Sequence, residues 1–428
     1  MNFRKYAYGL LAGLCIAQTA VFTSCEDEPD KYEIAGGSPT VEYVRLPEKA
    51  DSTITAAEME KTICLVGKNL RSIKKMLFND QAAVLNTSFI TDNYLLVDIP
   101  SEIPSAVTDK IYMINNAGDT ITYDFHVIVP APMVLAMSCE YAQAGEEVII
   151  TGDYFIQDPY KPLQLLFNDS TLRITDFTSI SKTAISFVLP AGVNPGEVYV
   201  KSVYGTSKAA FQYRDQRNIL FDFDGTHGGQ TGGYGWYAGA IATGGIDGSY
   251  LHFGGAAMLG KVGGTWNENA FCMQYWPDGT AAHPDLSGNA AFQAMLDTCD
   301  IADMALKFEC RVPSNSAWSS AALQIMFTGN ADVTYNTANN QYYTNTSQPR
   351  GLWMPWVATG SYDTANKWVT ITLPLSSFNK THEGQPAGVT LTKDRLTGLT
   401  LFLWQGGVEG TDCNPVLDID NIRIVPVK

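Results

Sequence analysis

Between Asn339 and Gly360 the chain reads NNQYYTNTSQPRGLWMPWVATG, which sets Tyr342 beside Tyr343 and Trp353 just ahead of Trp356. Asn, Thr, Ser, Gln, Pro and Gly surround these rings, and those are the residue types of turns and loops. Trp266, Trp276 and Trp318 keep similar company, in Gly263-Gly264-Thr265-Trp266-Asn267, Tyr275-Trp276-Pro277-Asp278-Gly279 and Ser316-Ala317-Trp318-Ser319. An indole beside a polar loop offers a flat apolar face with hydrogen-bonding groups around it. That suits a ring which is itself apolar on its face and polar at its rim, and a saccharide is such a ring. Stacking on one indole removes on the order of 100 Å² of apolar surface, roughly 2.5 kcal/mol at about 25 cal/mol/Å². The expected platform residues are Trp318, Trp276, Trp353, Trp356, Trp266 and Tyr343, with packing at a core edge as the alternative for any one of them. In a regular strand Trp353 and Trp356 point to opposite faces, so one of that pair is expected inside. Trp368 and Trp404 sit in strand-like runs and read as core, while Trp236, in a glycine run, fits either role.

Covalent chemistry finds less support. Gly255-Ala256-Ala257-Met258-Leu259-Gly260-Lys261 has the phosphate-loop spacing, but Val262 stands where Ser or Thr must hold magnesium. Gly233-Tyr234-Gly235-Trp236-Tyr237-Ala238-Gly239 has the wrong third spacing for a dinucleotide turn. Neither H-E-x-x-H nor G-x-S-x-G occurs. A glycosidase needs two carboxyls about 5 to 10 Å apart, and beyond Arg217 the glutamates are only Glu268, Glu309, Glu383 and Glu409. Glu309 reads as an ordinary outward residue of a strand. Asp222 and Asp224 open this last region, and Asp418 and Asp420 close it. If the first and last strands pair, these carboxylates meet and their hard oxygens suit a structural calcium. Turn-capping is the simpler reading of the same aspartates, and no other cofactor is implied.

The elements that must position these residues follow from composition and patterning. The 428 residues are 45% hydrophobic and 17% charged, a globular balance. A net charge of -16 repels phosphate backbones, which excludes nucleic acid and suits a neutral or cationic ligand. Arg4 and Lys5 precede an apolar run from Leu10 to Phe22, too short for a membrane span of about 20 residues and right for a secretory signal. Phe22-Thr23-Ser24-Cys25 ends that run with a small residue before a cysteine, followed by Glu26-Asp27-Glu28-Pro29-Asp30. The remaining cysteines show no C-x-x-C pairing and no zinc spacing, so they read as buried thiols, with a Cys299–Cys310 bridge as an open alternative.

Two stretches repeat. Thr62-Ile63-Cys64-Leu65-Val66-Gly67 matches Val148-Ile149-Ile150-Thr151-Gly152, Leu77-Phe78-Asn79-Asp80 matches Leu166-Phe167-Asn168-Asp169, and a strand ends at Pro100 as one does at Pro190. Each unit is about 90 residues of short strands between turn residues, the pattern of an immunoglobulin-like sandwich. Neither contains Trp or a charge cluster, so spacing is their expected role. All 8 tryptophans lie beyond Arg217. There, strands are expected at Ile219 to Asp224, Tyr250 to Gly254, Met304 to Val312, Ala321 to Thr328, Trp368 to Leu375, Leu399 to Trp404 and Val416 to Val425, with one short helix from Ala290 to Leu296. Seven or more strands with long glycine-rich loops fit one jelly-roll.

The repeated glycine, Phe-Asn-Asp strand and terminal proline resemble the IPT/TIG type of immunoglobulin-like domain. Cys25 with its acidic tail resembles the lipobox of surface lipoproteins in polysaccharide-utilising gut bacteria. The run from Ala317-Trp318-Ser319 through Leu352-Trp353-Met354-Pro355-Trp356 to Leu417-Asp418-Ile419-Asp420-Asn421-Ile422 resembles the C-terminal jelly-roll of surface glycan-binding proteins of the B type. This resemblance implies an all-β chain: a signal peptide at 1–24, an acidic linker at 25–37, immunoglobulin-like domains at 38–129 and 130–217, and a glycan-binding jelly-roll at 218–428. It further implies lipidation at Cys25, exposure on the outer membrane held by the lipid anchor alone, and a partner in an outer-membrane glycan importer. The implied ligand is xyloglucan or another β-glucan or hemicellulose, bound without catalysis. A glycoside hydrolase acting on a β-glycan, or an adhesin for host glycan or protein, are the alternatives.

Overall fold

The computed structural model describes residues 36–427 except 159, 169–171, 227, 331 and 337–340. Cys25 and the expected signal therefore lie outside the described residues. The chain divides into two compact units, Met1–Pro130 and Ala131–Lys428.

In the first unit a three-stranded sheet of Thr40–Arg45, Thr62–Lys68 and Tyr94–Asp98 accompanies a four-stranded one of Gln81–Ala83, Ile73–Phe78, Lys110–Asn115 and Thr120–Asp124. Ile63, Leu65, Met76, Phe78, Leu95 and Ile111 close its core. The second repeat follows the same plan, with a core of Val148, Ile150, Leu165, Phe167, Phe187 and Val198. The repeated motif has a steric cause. A Cβ on Gly67 would meet the Thr40 carbonyl oxygen at 1.9 Å, and one on Gly152 would meet that of Met133 at 1.9 Å. Asn79 and Asn168 turn the chain in the left-handed region, at φ 55 and 38, where asparagine is the tolerated residue after glycine.

From Ile219 onward two sheets form a jelly-roll. One runs in the order Ala240–Thr243, Ser249–Phe253, Leu417–Pro426, Met304–Arg311, Val369–Pro374, with Ile219–Phe221 also paired to Leu417–Pro426. The other runs Cys272–Tyr275, Gly398–Trp404, Ala322–Thr328, Gly351–Trp353. The expected strands and the helix, Ala290–Thr298, are present, and the first and last strands do pair. Three strands, at 240–243, 272–275 and 351–353, escaped the sequence reading. They are short, and Cys272–Tyr275 is buried on both faces, so no alternation marks it. All the described cysteines are free thiols, including Cys299 and Cys310.

The second repeat is bound to the jelly-roll by charge as well as by packing. Arg423, on the last strand, sets Nη2 at 2.7 Å from Glu140 Oε2 and Nη1 at 2.8 Å from Glu309 Oε2. Lys307 Nζ lies 2.5 Å from Glu140 Oε1. Thr370 N donates to Ser138 O at 2.9 Å, and Glu140 N donates to Thr370 Oγ1 at 2.6 Å. Trp368, expected in the core, packs against the core of this repeat instead. Glu140, Glu309, Lys307 and Arg423 are all buried. Glu309 is thus no outward surface residue, and the second repeat does more than space.

Candidate functional site

The second jelly-roll sheet carries the aromatic residues on both its faces. Leu399, Leu401, Leu403, Ile325 and Phe327 point into the main core. Their strand neighbours Phe402, Trp404 and Met326 point the other way, into a second apolar layer with Cys272, Trp276, Val333, Tyr342 and Tyr343. The segment containing the short helix Gln341–Thr344 folds over this outer face. Arg350 fastens it there, with Nη1 donating to Gln324 Oε1 at 2.7 Å and to Tyr343 O at 2.9 Å. Burial pushes the Arg350 guanidinium down to about 10. Gln274 completes the seam, its Nε2 donating to Tyr343 OH and its Oε1 accepting Tyr237 N at 3.0 Å.

Two indoles stand out of this layer into solvent, Trp236 at 47% and Trp266 at 40% exposure. Trp236 follows Gly235, where a Cβ would come within 2.7 Å of the Gln274 side chain, so only glycine lets this loop lie along the Cys272–Tyr275 strand. Its ring meets Trp276 at 5.7 Å and 71°. Trp266 meets Trp404 at 4.7 Å, Phe402 at 5.1 Å and Tyr343 at 5.2 Å, each nearly at right angles. Asn267 immediately caps the helix Glu268–Phe271 through Ala270 N at 3.1 Å and so fixes the backbone beneath that indole. Buried rings connect the two exposed ones without a break: Trp236 to Trp276, Trp276 to Tyr342, Tyr342 to Tyr343, and Tyr343 to Trp266. Such backing holds both indoles in place before any ligand arrives, which lowers the ordering cost of binding.

The remaining expected platform residues are corrected by their burial. Trp276, Trp318 and Tyr343 are fully buried, Trp356 nearly so, and none presents a face to solvent. Each indole N–H is satisfied indoors: Trp276 by Thr400 Oγ1 at 3.0 Å, Trp318 by Ser320 O at 2.6 Å, Trp356 by Ala321 O at 2.7 Å. The polar neighbours that read as a sugar-binding rim therefore serve the indoles themselves. Trp353 is half-buried against Trp318, Phe308 and Tyr362, within the main core and apart from the Trp236–Trp266 layer. Trp356 sits in a turn of 3-10 helix, Pro355–Ala358, so the strand geometry expected of the pair does not apply. Of the six expected residues only Trp266 joins the exposed platform. Trp236 joins it with a faint signal in the sequence, an aromatic between glycines.

The expected calcium ligands do not converge. Asp418 accepts Arg311 Nε at 2.9 Å and lies 2.7 Å from His252 Nδ1. Asp222 caps its own turn, accepting Gly225 N at 2.9 Å and the Thr226 hydroxyl at 2.8 Å. Asp224 accepts Ser249 N at 2.9 Å. Asp420 is fully buried, and burial, with the Asp247 charge nearby, raises its carboxyl to about 9. Among the described residues no group of three or more His, Cys, Asp or Glu could hold a metal ion.

One carboxyl has the raised value that acid catalysis would want. Burial lifts Glu309 to about 7, against the opposing pull of Arg423. It is nevertheless sealed from solvent beneath the second repeat, so no substrate oxygen can reach it.

Comparison with known proteins agrees with this division between binding and catalysis. The model of the family described as surface glycan-binding protein B xyloglucan binding domain matches residues 213–426. The crystal structure of surface glycan-binding protein PbSGBP-B from Prevotella bryantii is similar over 92% of this chain and 100% of its own, at 39% identity and a TM-score of 0.74. An IPT/TIG domain-containing protein of Bacteroides ovatus is 26% identical over 220 residues, 48% of this chain. The matched stretch spans 44% of that relative's length. The family is one of glycan-binding proteins and not of hydrolases, in keeping with a buried Glu309 and an open pair of indoles. The chain belongs to the surface glycan-binding protein B family.

Proposed function

We propose that this chain holds a neutral plant-type polysaccharide, xyloglucan or another β-glucan or hemicellulose, across Trp236 and Trp266, and that it does so on the cell surface. The observation that carries the reading is the pair of solvent-facing indoles backed by one continuous aromatic layer. The family's description names xyloglucan, and the net charge of -16 disfavours acidic glycans such as uronic-acid polymers. Two stacked rings give about 5 kcal/mol gross, from which association costs of at least about 4 kcal/mol are subtracted. Each site is therefore weak, and many copies on one surface gain by avidity.

Affinity electrophoresis of residues 26–428 in gels containing xyloglucan, barley β-glucan or mannan is expected to show retardation by at least one of the β-glucans. Unhindered migration in all three gels overturns the reading. Steady release of reducing ends from a retained polymer would instead revive a hydrolase.

Placement at the outer membrane beside a glycan importer belongs to the same proposal. It is supported by Cys25 at the end of the apolar run and by the acidic residues that follow. A diacylglyceryl anchor contributes about 0.8 kcal/mol per buried methylene, which an acidic surface cannot supply on its own. Cys25→Ala is expected to move the protein from the membrane pellet to the soluble fraction. If the variant still sediments with the outer membrane, the anchor lies elsewhere.

A further inference from the structure

We propose that Tyr335 is a third glycan-contacting ring, extending the ligand track from Trp236 along the edge of the Cys272–Tyr275 strand. The inference rests on the reading of Trp236 and Trp266 as a polysaccharide platform. Tyr234 precedes Trp236 by two residues and is pinned to that strand on both sides. Its N–H donates to Gln274 O at 2.8 Å, and its carbonyl accepts Trp276 N at 2.8 Å. The Tyr234 ring lies flat against His283, with centroids 3.3 Å apart and planes 7° apart. It also lies nearly parallel to Tyr335, at 4.7 Å and 18°. A face covered at 3.3 Å has no room for a second ring, so Tyr335 takes the opposite face and is the end member of a three-ring stack.

Core packing accounts for Tyr234, which lies against the main core, but not for Tyr335. Tyr335 is 42% exposed, within the range of the two platform indoles, and it contributes to none of the buried clusters. Its ring is fixed from behind by two others, so contact with a ligand orders nothing new. An acceptor stands beside the stack. Asp278 receives Tyr234 OH at 3.1 Å, Thr280 Oγ1 at 2.7 Å and Thr280 N at 3.0 Å. These hydrogen bonds, Thr280's foremost, hold its carboxyl below the ordinary value, so it stays ionised and able to accept a hydroxyl from a sugar rim. A flat ring held from behind repeats what backs the two platform indoles, and here an ionised acceptor stands beside it as well. The same glycine-lined loop supplies both Tyr234 and Trp236.

The predicted signature depends on ligand length. With residues 26–428, Tyr335→Ala is expected to weaken binding of xyloglucan polymer about five- to tenfold. Affinity for a single xylogluco-heptasaccharide, held by the two indoles, is expected to stay within about twofold. Tyr335→Leu keeps bulk but not the ring and is expected to behave like the alanine variant, whereas Tyr335→Phe is expected to retain parent affinity for both probes. Calorimetric titration reads the affinities, and a melting curve on each variant confirms that it is folded. Unchanged polymer affinity in the Ala and Leu variants overturns the proposal. So does an equal loss for both probes, because Tyr335 would then act through the platform and not beyond it. Trp266→Ala, run alongside, separates the two readings: if it binds polymer as the parent does, the platform fails whatever Tyr335 shows.

Discussion

Glu140→Ala is expected to destabilise the 131–428 unit by about 3–5 kcal/mol, the cost of leaving a buried charge without its partner. Glu140 is the carboxylate that Arg423 and Lys307 share, at 2.7 and 2.5 Å. Without it, two buried cations face Glu309 alone. At roughly 2–4 °C per kcal/mol for a unit of this class, the melting point is expected to fall by about 10 °C. Differential scanning calorimetry of residues 131–428 measures it directly. Glu140→Gln keeps two polar atoms in place and is expected to lie between parent and alanine. If Glu140→Ala melts within a degree of the parent, water reaches the network and the account of a sealed interface is wrong.

Trp266→Ala and Trp236→Ala are each expected to cut affinity for a retained polysaccharide by roughly 50- to 100-fold. This is the binding equivalent of about 2.5 kcal/mol of lost stacking surface. The stability cost is expected to be small for Trp236, which rests on one ring, and larger for Trp266, which braces three. Trp318→Ala and Trp276→Ala are expected to show the reverse pattern, losing about 3–5 kcal/mol of stability while binding persists for as long as the protein is folded. Titration below each variant's melting point distinguishes the two classes. If the buried pair governs affinity in folded protein and the exposed pair does not, the ligand enters the outer aromatic layer instead of lying on it.

The architecture was largely legible in the sequence because its signals are local. The glycine that must pass under a neighbouring carbonyl, the left-handed asparagine and the period-two strands each state their own cause. The platform was legible in chemistry but not in position. Trp276, Trp318 and Trp356 look like loop residues because none lies in a regular strand: Trp276 follows one, Trp318 makes a single bridge to Tyr362, and Trp356 sits in a 3-10 turn. What a sequence does not display is that the short helix Gln341–Thr344 lies over the outer sheet face and covers Trp276, while Trp318 and Trp356 turn into the main core. Serine, threonine and backbone carbonyls beside an indole are equally apt for a sugar hydroxyl and for the indole N–H, and here the N–H takes them. Trp236 was hard to place for the opposite reason. Its glycines read as flexibility, when they permit a close, fixed approach to Gln274. The Glu140–Arg423 pair spans nearly the full distance between the second repeat and the final strand, and nothing at either position alone announces the other.

That pair also bears on how such chains can change by duplication and exchange. The two repeats align through Val41, paired with Gly67, and Val134, paired with Gly152. In that register the first repeat offers Pro47 where the second has Glu140. A recombination that put a copy of the first repeat directly ahead of the jelly-roll would present proline to Arg423 and strand its charge. The two copies, though cut to one pattern, are no longer exchangeable parts. Selection must therefore pass on the final repeat and the glycan-binding domain together, as a single heritable cassette.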